Sequence, residues 1–153
     1  MATPGKGNAA WQKPTNKLFL GIDHTAMTVD STENSTLFYR DVLGFEVAGV
    51  TFNTGTTQEV LDGLFNDTCL VSAMMPGSAP PHVEFLEYKT PPGGRPNLAD
   101  SKANDFWHWQ TTLVTKDIQA VTDRLRGAGA KFITPGVVTI SREHQAHSGS
   151  KKR

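Results

Sequence analysis

The chain has 153 residues, enough for one domain or for two small modules sharing a core. Fifteen basic residues balance fifteen acidic ones, so there is no electrostatic footprint for a nucleic acid partner. No apolar run approaches the roughly 20 residues that a membrane-spanning helix needs, which excludes a helical membrane anchor in this stretch. Residues 1–17 read as a polar, flexible tail with Trp11 as its one large apolar group. That tail lacks an apolar signal core, so a cytoplasmic location is expected, although an exported chain already cleaved would read the same. Cys69 is the single cysteine, which excludes an internal disulfide; its apolar setting, CLVSAMM, predicts a buried, unreactive thiol.

The first element is a strand over residues 18–29, whose alternation places Ile22, His24, Ala26 and Thr28 on one face and Asp23, Thr25, Met27 and Val29 on the other. A helix over residues 30–43 follows, capped by Asp30 or Ser31, with Glu33 in capping-box position relative to Asp30. Its apolar stripe is read as Phe38, Val42 and Phe45, widened by Leu37, and Gly44 stops it. Residues 45–52 form a second strand, and residues 58–65 a short helix or turn with Val60, Leu61 and Leu64 inward. The third strand is 68–74, closed by the turn-rich MPGSAPP. In the fourth strand, HVEFLEY, His82, Glu84, Leu86 and Tyr88 share one face, and Val83, Phe85 and Glu87 the other.

Residues 89–105 are rich in proline, glycine and polar side chains and read as a linker. The run FWHWQTTLVT, residues 106–115, has high β propensity and reads as a fifth strand. A second helix spans 117–127, with Ile118, Val121 and Leu125 on one stripe, and a broken sixth strand covers 132–140. Residues 141–153 carry no apolar periodicity and read as a disordered tail, including His144 and His147 despite their helix-like spacing. The order strand, helix, three strands, linker, strand, helix, strand is a repeat whose second half stops early.

His24, Glu84 and His108 or Gln110 are the residues whose chemistry stands out, because imidazole and carboxylate are ligands for zinc, nickel, iron or manganese. Each alone has an ordinary structural reading; only their convergence would make a site. The segments DHTAMTV, FYRDVLGF, VEFLEY and LRGAGAKF, in that order, resemble the vicinal oxygen chelate superfamily of glyoxalases, bleomycin-resistance proteins and extradiol dioxygenases.

That resemblance covers residues 18–140. It implies an α+β fold of paired βαβββ modules with curved mixed sheets, the first over 18–88 and an incomplete second over 106–140. It also implies metal ligands on the first and last strands of each module, hence His24 and Glu84 in the first. In the second module, the register from the helix start selects Gln110, whereas His108 is the stronger donor on the same face; both are retained. The final strands and final glutamate of the family pattern have no counterpart here, which would leave an open sheet edge for a second copy to cover.

The function the resemblance implies is lyase- or isomerase-type chemistry on a small molecule with adjacent oxygens. A divalent ion would stabilise an oxyanion, and Glu84 would be both ligand and catalytic base. The alternatives are a metal-free binding protein that sequesters a planar ligand beside Phe106, Trp107, Trp109 or Tyr88, and an inactive truncated copy. The two tryptophans are read first as packing residues, because alternation places them opposite His108 and Gln110.

Overall fold

A computed structural model describes residue 18, residues 21–78 and residues 81–140. The expectations for the terminal tails, including Trp11, His144 and His147, fall outside these residues. The described chain divides into two compact units, with the boundary between Val114 and Thr115.

In the first unit, strands β1 (His24–Thr28), β2 (Glu46–Thr54), β3 (Thr68–Met75) and β4 (His82–Thr90) form one mixed sheet in the order β1-β4-β3-β2. β1 runs parallel to β4, and the other pairings are antiparallel. A helix, α1 (Thr32–Leu37), continues into a π-helical turn (Phe38–Val42) between β1 and β2, and a short helix, α2 (Thr56–Asp62), joins β2 to β3. This is the α+β, βαβββ arrangement expected of the first half.

Ser31 is the residue that caps α1, its hydroxyl accepting from the Asn34 amide at 3.1 Å. The stop is Gly44, in the left-handed region at φ 78°. The inward stripe is rotated from the expected one: Phe38 and Leu37 are exposed, while Tyr39 and Leu43 pack on the core. Polar residues occupy the inward face of the first turn and conceal the stripe from an apolar-periodicity reading. Thr32 is buried there because its amide and hydroxyl donate to Glu87 Oε2 of β4 at 2.9 and 2.8 Å. The Ser35 hydroxyl turns back to the Ser31 carbonyl at 2.8 Å.

The core beneath α1 is Phe45, Met74, Val83 and Phe85, with Tyr39 edge-on to Phe85 at 4.8 Å and to Phe45 at 5.3 Å. Val83 and Phe85 come from the β4 face that alternation assigned to them. Cys69 is fully buried, and burial beside Asp67 pushes its thiol up to about 11. Of the three side chains expected inward around α2, Leu64 is partly buried, but Val60 and Leu61 are 78% and 75% exposed. Gln58 and Asp62 supply the inward contacts of this helix instead, through hydrogen bonds that an apolar pattern does not reveal.

Residues 106–115 and 132–140, expected as strands, form no ladder among the described residues. Their β propensity is real, but a strand exists only when a neighbour completes its hydrogen bonds. Trp107 and Trp109, expected to pack, are 59% and 48% exposed. In the second unit, α3 (Ile118–Gly127) is capped by Asp117, whose carboxylate accepts from the Ala120 amide at 2.9 Å. Arg126 then reaches the Pro135 carbonyl and lies over the Phe132 ring. No helix of the described chain is long and apolar enough to cross a membrane.

Candidate metal centre

Parallel pairing places His24 opposite His82 and Ala26 opposite Glu84, so both histidines and Glu84 occupy the sheet face away from α1. The side chains converge there. His24 Nε2 lies 3.5 Å from Glu84 Oε2, and His82 Nε2 lies 3.2 Å from Glu84 Oε1. The two imidazole rings are tilted by 40° with centroids 5.3 Å apart. Asp23 completes the group: it precedes β1, and its carboxylate turns back to His24 Nδ1 at 2.9 Å.

This geometry sets the charge state. Both nitrogens of His24 face carboxylates, which favours the imidazolium; the Asp23 hydrogen bond first, and Glu84 next, raise the His24 pKa. The same hydrogen bond lowers the Asp23 pKa. His82 Nδ1 is buried without a hydrogen-bond partner, so its polar capacity is directed at Glu84 alone.

The donor set suits a divalent ion. Two donors bound to one ion at about 2.1 Å stand roughly 3.0–3.4 Å apart. The His82–Glu84 separation, 3.2 Å, falls within that range, and the His24–Glu84 separation, 3.5 Å, lies just above it. Asp23, His24 and His82 also each offer a ligand atom within 4.8 Å of the others. Asp23 on the far nitrogen of His24 is the carboxylate–histidine arrangement that fixes the tautomer and orientation of a ligating ring.

The structure thus brings together His24 and Glu84 of the residues singled out in the sequence. Gln110 and His108 lie on the unpaired 106–115 stretch, both exposed, and His108 is not in the group formed by Asp23, His24 and His82. Two members of the cluster were not proposed from sequence. His82 had a signal, since alternation put it on the face of Glu84, but only the β1–β4 register sets it against His24. Asp23 was assigned by alternation to the opposite face, and it escapes that parity because it stands just outside the strand.

A model of the Glyoxalase/Bleomycin resistance protein/Dioxygenase superfamily matches residues 21–141. Among solved structures, a glyoxalase family protein from Bacillus cereus is similar at TM-score 0.73 and 21% identity, with 84% of each chain covered, a likeness of fold. The structure of SMU.1112c aligns at TM-score 0.40 and 19% identity over 74% of this chain and 77% of that one, too loosely to carry an argument. No match is found among curated proteins. With a family model spanning most of its length and the βαβββ sheet in place, the chain belongs to the Glyoxalase/Bleomycin resistance protein/Dioxygenase superfamily.

Proposed function

We propose that this protein is a divalent-metal-dependent enzyme of the lyase or isomerase type, acting on a small molecule with adjacent oxygens. The observation that carries this reading is the pair of imidazoles facing the two oxygens of Glu84 at 3.5 and 3.2 Å. His24, His82 and Glu84 would hold the ion, with Gln110 or His108 as a further donor. Zinc, nickel, iron or manganese is compatible with imidazole and carboxylate ligands.

When bound, such an ion polarises a carbonyl and stabilises the oxyanion formed when an adjacent proton leaves. Asp23 orients His24 by holding its outer nitrogen. Glu84, partly shielded at 21% side-chain exposure, is the group that takes and returns the proton on the substrate carbon. His82 keeps the Glu84 carboxylate turned toward His24 from the neighbouring position on its own strand face. Two copies would pair to cover the sheet edges left unpaired among the described residues.

The test is elemental analysis of protein purified without added metal, compared with the Glu84→Gln variant. The expected result is a bound divalent ion in the parent and at least a tenfold lower content in the variant. Turnover of a 2-hydroxy or 2-keto thiol adduct, where seen, should fall by roughly 10²–10⁴ with loss of the base. A metal-free parent, or equal metal content in both proteins, refutes the proposal and favours a sequestering role.

A further inference from the structure

At the far end of the same sheet face a second set of ionisable groups meets. Asp67, between α2 and β3, is 1% exposed, and neither of its carboxylate oxygens has a donor in hydrogen-bond geometry. A carboxylate buried in that way loses its hydration without replacement, which disfavours its charged form. Two observations show how the cost is avoided.

The carboxyl group of Asp62, the last residue of α2, lies against Asp67. Its Oδ2 already accepts two hydrogen bonds, from Gln58 Nε2 at 2.7 Å and from the Tyr88 hydroxyl at 3.2 Å. Asp62 thus has hydrogen-bond donors from the protein, whereas neither Asp67 oxygen has one. The groups facing Asp67 from each packed element are Asp62 and Gln58 on α2, Thr68 and Cys69 at the start of β3, and Tyr88 on β4. None of these is a cation, so among the described residues these groups do not neutralise a second negative charge.

We propose that Asp62 and Asp67 form a proton-binding site, one proton shared between the two carboxyls, which latches α2 over the Tyr88 end of the sheet face. Asp67 holds the proton and donates it toward Asp62, and Asp62 in turn receives the Tyr88 hydroxyl. Burial first, then the hydrogen bond with Asp62 and its charge, raise the Asp67 pKa, and these outweigh the Thr68 amide and Gln58 nearby. The same two effects, burial and Asp62, push Tyr88 up to about 12, so its hydroxyl stays a donor.

The sign of the linkage follows from the raised value. Between the ordinary Asp pKa of 3.8 and the folded one, the native state binds more protons than the unfolded chain. Stability is therefore full at the low end of that window and falls as pH rises through the folded pKa. The latch lies about 13 Å along β4 from Glu84, four residues at roughly 3.3 Å each. It is thus separate from the proposed metal centre and stands or falls without it.

The experiment compares the full chain with its Asp67→Asn variant, whose amide donates to Asp62 without a titrating proton. In infrared spectra taken as pH is raised from the ordinary Asp value of 3.8, the parent should retain the carbonyl stretch of a protonated carboxylic acid, absent from the variant. Over the same range, the parent melting temperature should fall by several degrees relative to the variant. Should the variant fail to fold, the infrared titration of the parent decides alone. No protonated-acid band in the parent, or identical pH profiles in the two proteins, overturns the proposal. So does a rise in parent melting temperature on adding calcium or magnesium that abolishes the band, which would make the pair a cation site instead.

Discussion

Cys69 shows how one residue's chemistry is decided by what stands around it. Its side chain faces the same side of β3 as Tyr88 does on β4, and it is fully enclosed. With the thiol pushed up to about 11, only roughly a thousandth is thiolate near pH 8. A soluble thiol reagent should therefore label the folded protein far more slowly than the chain in denaturant. Stoichiometric labelling within the mixing time, without denaturant, would mean that β3 opens to solvent. Oxidative regulation through this cysteine is disfavoured on the same grounds, because sulfenate formation begins at an accessible thiolate.

At the scale of an element, α1 is held to the sheet by one carboxylate more than by its own sequence. Glu87 projects from the α1-facing side of β4 and accepts from both the amide and the hydroxyl of Thr32, where the helix dipole favours negative charge. Lys89, on the same strand face, is ion-paired with it. The Lys89 pairing first, then the Thr32 amide, hold Glu87 down to about 2 from an ordinary value of 4.5. A depressed folded pKa contributes stability that is present above the unfolded value and lost as pH falls through the folded one. Unfolding free energy should thus drop between about pH 4.5 and pH 2, by on the order of 1–3 kcal/mol from this group after allowing for the half-exposed lysine. Denaturant titrations of Glu87→Gln should show a shallower acid limb than the parent, and an unchanged limb would assign acid sensitivity elsewhere.

For the molecule as a whole, the described core is small and the sheet is open. Only Phe45, Cys69, Met74, Val83 and Phe85 are buried apolar residues among those described, while Val50, Phe52, Leu98 and Trp107 are well exposed. β1 and β2 stand at the two ends of the sheet, each with one edge unpaired among the described residues. Exposed edges and apolar side chains are the features that self-association removes. We therefore predict a dimer, with a sedimentation coefficient and melting temperature that both rise with protein concentration. A single monomeric species across the micromolar range would show that the exposed residues serve another purpose.

Much of the first module was legible in the chain because its signals are local. Period-two alternation in HTAMT and HVEFLEY sorts side chains by face whatever the partner strand, and helix ends are marked by local chemistry: a side-chain acceptor at Asp117 and at Asp30 or Ser31, of which the structure uses Ser31, and a left-handed glycine at Gly44. His24 and Glu84 could be named together because the resemblance to the superfamily implies ligands on the first and last strands of a module; alternation alone does not say which faces of two strands coincide. Their meeting, and the arrival of His82, depended on the parallel β1–β4 register, which joins residues 58 positions apart and is written in neither strand. The α1 stripe was misread because its first turn buries polar groups, and Thr32 is satisfied only by Glu87, 55 residues away. The run FWHWQTTLVT illustrates the opposite limit. Propensity for extended backbone belongs to the sequence, but a strand is a relation between two segments, and here the described chain offers no second one.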